Sequence, residues 1–229
     1  MSQDLSKQAA DNGFRYFLIS FVDLFGVLRA KLVPGEAIEQ MQRDGAAFAG
    51  FATHLDLTPA DPDMFAMPDP ASLIQIPSKP EIGWLAADLH INGKPVEHAP
   101  RHVLKRQLAA ADTAGYRLKT GVEAEFFVLR PDGRAVGDDD DRQAKPCYDQ
   151  TALLRHYELI RAISDAMLGL GWGPYQSDHE DANGQFEMNW TYDDALVTAD
   201  RHVFLNSWSK SLPSSIGCVP PLCRNRLCI

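Results

Sequence analysis

The sequence predicts an α+β fold in two units, built on mostly antiparallel strands. Three observations predict it. Residues 14–32, FRYFLISFVDLFGVLRAKL, read as two strands dense in aromatic and branched side chains, joined by a short polar turn. An Asn92-Gly93 pair between apolar runs marks a second hairpin. Two later stretches, 99–115 and 151–170, repeat apolar residues at helical spacing. The 229 residues suffice for one large core or two small ones, and the balance of 45% hydrophobic to 23% charged residues is that of a globular chain. A formal net charge of −9 argues against binding nucleic acid or an anionic membrane. No apolar run is long enough to span a bilayer. The opening MSQDLSKQAADNG lacks the apolar centre of a secretory signal, so a cytoplasmic location is expected.

In chain order, strands are expected at 16–22 and 27–32, with the turn at 23–26. Pro34 then opens a short helix over 35–42. DGAAFAGFAT (44–53) reads as a loop, and three prolines in 61–70 argue against a long regular element there. Further strands are expected at 72–76, 83–91 and 94–96. A helix over 99–115 has Pro100 in its first turn, a stripe of Val103, Leu104, Leu108 and Ala111, and Gly115 as its stop. The domain boundary is placed at its start, giving units 1–98 and 99–204. Residues 120–129 form a strand, and Pro131-Asp132-Gly133 a turn. The run Asp138–Asp139–Asp140–Asp141 reads as a solvated loop, because like charges repel. The longest helix is expected over 151–170, burying Leu153, Leu154, Tyr157, Ile160, Ile163 and Met167. Strands at 172–175 and 184–190 and a helix from 198 follow. Cys147 stands alone. Cys218, Cys223 and Cys228 recur every five residues, which does not match paired zinc knuckles.

The chemistry centres on TGVEAEFFVL. Strand side chains alternate, so Glu123 and Glu125 share one face while Val122, Ala124 and Phe126 take the other. Two carboxylates at that spacing can share a hard divalent cation, which prefers oxygen ligands. A second acidic pair, Glu180 and Glu187, lies in HEDANGQFEMNW. Either pair alone reads more readily as a solvated face. Together, around a glycine turn, the four point to a metal site. His54, His90, His98, His102, His156 and His202 sit in no nucleophile motif and read as surface or structural. His179, next to Glu180, reads as a support for that acid or as a hydrogen-bonded structural residue. No phosphate-binding glycine loop is present.

SFVDLFGVLRAKLVP (20–34), MPDPASL (67–73), APRHVLKRQL (99–108), GVEAEFFVL (121–129) and HEDANGQFE (179–187) occur in one order. In these five motifs the chain resembles the glutamine synthetase family, in its type III-like and γ-glutamyl-amide ligase branch. The resemblance implies a β-grasp-like N-terminal domain and a catalytic domain with a curved antiparallel sheet and flanking helices. It implies Mg²⁺ or Mn²⁺ bound by Glu123, Glu125, Glu180 and Glu187, with ATP as co-substrate. Glutamate would be phosphorylated on its γ-carboxylate and the acyl phosphate displaced by ammonia or an alkylamine. Stacked-ring homo-oligomers are the family's assembly.

Two departures from the family pattern matter. Ammonia-using members often carry F-D-G-S-S in the N-terminal loop. Here the text is FAGFA (48–52), so Ala49 takes the place of the Asp, and methylamine or a larger amine is expected over ammonium unless another acid serves that role. The second departure is at the end. LNSWSKSLPSSIGCVPPLCRNRLCI (205–229) has no periodicity. Back-translated from Asn206 and read from the last base of that codon, it can yield FMVKIAAEQHRLRATFMPKPFVH, which contains ATFMPKP, the phrase that the resemblance implies at this point of the chain. The expectation is a frameshifted tail on an incomplete catalytic domain, and an inactive product in which ring assembly is in doubt. The alternative is a non-catalytic metal-binding or assembly fragment. An unrelated Mg²⁺-dependent nuclease or phosphoryl-transfer domain fits neither the net charge nor the ordered motifs.

Overall fold

The computed structural model describes residues 4–130 and 133–212. The cysteine triple, most of residues 205–229 with the expected frameshift, and the Pro131-Asp132 turn lie outside them. The described chain divides into two compact units, one running through Leu118 and taking in Asp194–Val203, the other comprising Lys119–Asp193 and the described residues from Phe204 on. The helix at which the boundary was drawn from sequence thus belongs to the first unit.

The first unit opens with α1 (Leu5–Asn12), a helix the sequence reading missed. Asp4 caps it by accepting from the Ser6 and Lys7 N–H groups, and Leu5 is fully buried. Strand β1 (Tyr16–Val22) then pairs antiparallel with β2 (Leu28–Pro34). Their turn is organised by buried Asp23. One carboxylate oxygen accepts from the N–H groups of Phe25 and Val27, both at 3.0 Å, and the other from Arg29 Nε at 2.9 Å. Helix α2 (Ile38–Asp44) follows a 3₁₀ turn. Residues 44–53, expected as a loop, contain the short strand β3 (Ala46–Phe48), whose Ala46 and Phe48 face the core. The proline-rich stretch likewise holds a strand, β4 (Met64–Pro68). Both are only three to five residues long, below the reach of a periodicity argument.

Strand β5 (Ile74–Ile76) leads to β6 (Lys79–Ile91), the 13-residue centre of the sheet, and β7 (Lys94–Pro95) closes the Asn92-Gly93 hairpin. Both turn residues have positive φ, 52° and 73°, as a two-residue primed turn requires. The sheet runs β2-β1-β6-β4-β3, with β5 and β7 also on β6. Pairing is antiparallel except between β1 and β6, which run parallel. Phe17, Ile19, Phe21, Ile38, Met64, Leu85 and Leu89 form its core. Helix α3 (Pro100–Thr113) contacts β1 and β6 but has no fully buried residue, and Val103 is exposed, so the predicted stripe is half-buried at best. Its anchor is ionic. Arg101 pairs with Asp200 at 2.9 Å, Asp88 at 2.7 Å and Asp69 at 2.8 Å, and Lys105 reaches Asp88.

In the second unit, β8 (Lys119–Thr120) and β9 (Glu123–Phe127) precede the aspartate run. The expected long helix is two, α4 (Gln150–Arg155) and α5 (Tyr157–Gly169), broken at His156, whose φ/ψ of −101°/15° leave helical geometry. The break re-phases the stripe. Ala152, Leu159, Ile163 and Met167 are buried, whereas the predicted Leu154 and Tyr157 are 63% and 52% exposed. Strands β10 (Pro174–His179) and β11 (Gln185–Trp190) form with β9 an antiparallel sheet of order β10-β11-β9. β12 (Asp193–Asp194) and α6 (Ala195–Ser209) follow, with Asp194–Val203 counted in the first unit. Phe186, Met188 and Trp190 cover one sheet face, where the His156 ring meets Phe186 at 5.0 Å and Trp172 meets Trp190 at 5.9 Å. The other face is acidic.

Candidate metal centre

Cross-strand register builds this face. Glu187 lies opposite Glu125, Asn189 opposite Glu123, and Asp178 opposite Glu187. Directly opposed residues point the same way, so Glu123, Glu125, Glu187, Asn189 and Asp178 share one surface. The alternation read from E-x-E holds. Ala124 between the two glutamates is buried, while both glutamates are exposed. Glu180 begins the turn after β10, and its carboxylate is among the groups that raise the pKa of Glu187. All four predicted ligands therefore belong to one unit and one region.

They are not closed around a point. Among the described residues, no three His, Cys, Asp or Glu side chains stand in ion-holding geometry. Glu125 accepts from the Gln185 amide at 2.6 Å, and Glu180 from the Asp181 N–H at 3.0 Å. Like charges spread into whatever donors surround them.

The electrostatics show what the face lacks. Glu187 is 7% exposed. Burial, together with the charges of Glu123 and Asp178 and the neighbouring Glu180, raises its pKa to about 7, against the pull of the Asn189 amide. Burial, Glu180 and Glu123 push Asp178 up as well. Asn189 is buried, and its Oδ1 has no hydrogen-bond partner among the described residues. An all-oxygen donor set with surplus negative charge and an orphaned acceptor fits a hard cation such as Mg²⁺ or Mn²⁺. Beside Glu123 opens a cleft of about 700 Å³, lined by Lys119, Tyr175, Trp190 and Tyr192, with Lys119 Nζ 5.5 Å over the Tyr192 ring.

Asn189 was legible but unread, since Q-x-E-x-N continues the two-residue period. Asp178 needed the register. Asp141 gave no signal, and its expected solvation is wrong. It is 4% exposed and bonds His179, which is fully buried. Asp138 is likewise held by Arg155 of α4, whereas Asp139 and Asp140 stand exposed in the loop as expected. Tyr148 also escaped notice. It holds φ +65° with its side chain exposed, a strained backbone of the kind functional loops retain.

The family model for the glutamine synthetase catalytic domain matches residues 97–218, more than half of the chain. The chain belongs to the glutamine synthetase family. It is 58% identical over 217 residues to a glutamine synthetase of Rhizobium leguminosarum bv. phaseoli, covering 95% of this chain and 50% of that relative. It is 38% identical to a glutamate–methylamine ligase of Methyloversatilis universalis, over 91% of this chain and 48% of that one. A solved GmaS/ADP complex superposes with a TM-score of 0.90 at 59% identity, covering 92% of this chain and 49% of that chain. The chain spans about half the length of the curated relatives it matches. The family membership expected from five ordered motifs is borne out. No helix among the described residues is long and apolar enough to cross a membrane.

Proposed function

We propose that this glutamine synthetase family chain carries the metal-binding part of an ATP-dependent ligase that joins glutamate to an amine. We read the first unit as β-grasp-like and the sheet β10-β11-β9 as part of the family's catalytic sheet. One observation carries the reading. The register sets Glu123, Glu125 and Glu187 on one face, and Glu187 is raised to about 7 by burial among like charges. Such a face favours a divalent cation over isolated protons at neutral pH. Glu123, Glu125, Glu180 and Glu187 would hold it, and the cation would neutralise ATP phosphates beside the glutamate γ-carboxylate. The cleft bordered by Lys119 and Tyr192 shares Glu123 with that face. It supplies an aromatic wall and a cation for a nucleotide. In the reaction, the γ-carboxylate oxygen bonds the terminal phosphorus as ADP leaves, and the amine nitrogen then takes the acyl carbon as phosphate leaves.

For the amine we propose an alkylamine such as methylamine rather than ammonium. Ala49 is exposed and offers no carboxylate to an ammonium ion, and one relative is named for methylamine. A second reading, a non-catalytic assembly fragment that joins intact subunits, draws on exposed apolar residues of the first unit, Leu24, Phe25, Val27, Leu32 and Phe51. Calorimetric titration of Mn²⁺ with and without ATP, beside the double variant Glu123→Ala/Glu125→Ala, tests the main reading. Binding that tightens with ATP and vanishes in the variant supports it. A folded wild-type chain that binds neither leaves the assembly reading. We expect no phosphate release from this chain with ATP, glutamate and either amine.

A further inference from the structure

The buried pair Asp141–His179 has no part in the chemistry just described, yet it grips the turn that carries Glu180. His179 ends β10 on the apolar side of the sheet, its ring 5.0 Å from Phe186. Its Nδ1 lies 2.9 Å from the Glu180 carbonyl oxygen, which can only accept, so Nδ1 bears a hydrogen. Its Nε2 lies 2.7 Å from Asp141 Oδ2. That same carboxylate oxygen accepts from the Gly184 N–H, and the Asp141 carbonyl accepts from the Asn183 side-chain amide. One residue, brought from 38 positions upstream in the chain, therefore holds both ends of the turn between β10 and β11.

The Glu180 N–H donates to the Gln185 carbonyl at 2.9 Å, and the Gln185 side chain accepts from the Ala182 N–H at 3.1 Å. Within the turn the Gln185 N–H also donates to the Ala182 carbonyl at 2.9 Å, and the Gly184 carbonyl accepts from the Val128 N–H at 2.8 Å, so Asp141 adds the tie that reaches His179 and the Gly184 N–H together. Gly184 has φ +74°, a conformation that only glycine takes without strain, and Asp141 receives its N–H in that conformation. Without Asp141 the Gly184 N–H would be buried without an acceptor and His179 Nε2 would be buried without its partner, and the turn would relax to satisfy them.

We propose that Asp141 is a positioning residue for the metal centre: through His179 and Gly184 it fixes the Glu180 turn and thereby aims the Glu180 carboxylate at the acidic face. This rests on the proposed role of Glu180 as a ligand. Partners that orient a metal ligand from behind typically change affinity by about 10–100-fold when removed.

The test is Mn²⁺ titration of the full chain followed by the electron paramagnetic resonance of free Mn²⁺, with amide hydrogen exchange read at Gly184. Asp141→Ala is expected to weaken Mn²⁺ binding about tenfold or more and to speed Gly184 exchange. Asp141→Asn keeps an acceptor for the Gly184 N–H and a hydrogen-bonding amide for His179 Nε2, and is expected to stay within about threefold of wild type. His179→Gln keeps a donor toward Asp141 but frees the Glu180 carbonyl. It is expected to weaken binding as Asp141→Ala does, and it serves if that variant does not fold. Wild-type affinity in a folded Asp141→Ala or His179→Gln chain overturns the proposal, as does an Asp141→Asn loss equal to that of Asp141→Ala. A wild-type chain that binds no Mn²⁺ overturns the metal reading itself, and is told apart because the deficit is then present before any substitution.

Discussion

Glu187→Gln separates two roles of one side chain. In the folded protein the Glu187 carboxyl is raised from 4.5 to about 7, with burial as the main cause and Glu123 and Asp178 adding to it. Below pH 4.5 the group is protonated folded or unfolded and contributes no pH dependence. As pH rises from 4.5 the unfolded chain ionises first, so stability falls, and the loss is complete above about 7. At about 1.4 kcal/mol per pH unit, the ionised group costs the metal-free fold about 3 kcal/mol at pH 8 and about 1 kcal/mol at pH 5. Glutamine keeps the size and an acceptor for the Asn189 amide but cannot ionise. In urea unfolding with EDTA, the variant should therefore exceed wild type by up to about 3 kcal/mol at pH 8 and by about 1 kcal/mol at pH 5. Adding Mg²⁺ should reverse the order. It stabilises wild type by about 2.7 kcal/mol at one hundred times its Kd, and the variant by far less. An identical difference at both pH values in EDTA would refute the electrostatic account. A Mg²⁺ gain preserved in the variant would refute Glu187 as a ligand.

Three other perturbations probe the scaffold. Arg101→Ala leaves Asp69, Asp88 and Asp200 crowded without their shared cation, and should cost about 3–5 kcal/mol in chemical unfolding. A loss under about 1 kcal/mol would mean that the network is solvated. Gly184→Ala sets a Cβ 2.6 Å from Val136 Cγ1 at φ +74°. It should cost about 1–3 kcal/mol and weaken Mn²⁺ binding, both readable in one calorimetric series. Asp23→Ala strips the β1–β2 turn of an acceptor for two N–H groups and Arg29, and should lower stability by about 2–3 kcal/mol in thermal melts.

Strands with strong period-two text were legible. Tyr16–Val22 was read to the residue, and the Asn92-Gly93 hairpin was read from its turn chemistry. The acidic face was half legible, because alternation within a strand fixes Glu123 with Glu125, but only pairing between strands brings Glu187, Asp178 and Asn189 beside them. What stayed hidden depends on contacts distant in sequence. The His156 break disguised itself as a continuous stripe, since Leu154 and Tyr157 fall on apolar positions of an unbroken helix. Asp141 looked like a solvated charge because its partner lies in another segment, and composition carries no record of a pairing. Ala46–Phe48 and Met64–Pro68 become strands because the β6 side of the sheet offers them partners, not because their own residues insist on it.

The parallel union of β1 with β6 has a kinetic consequence. The β1–β2 hairpin can close as soon as residue 34 is made, but the inner edge of β1 must wait for residues 79–91. During synthesis, and in every refolding attempt, an apolar strand carrying Phe17, Ile19 and Phe21 stays open along that edge until the middle strand arrives and seals β1 and β4 together. Closure across so many residues is slow, and an open edge recruits other chains. A nascent chain halted before residue 79 should therefore need a chaperone, whereas one halted well past Ile91 should not.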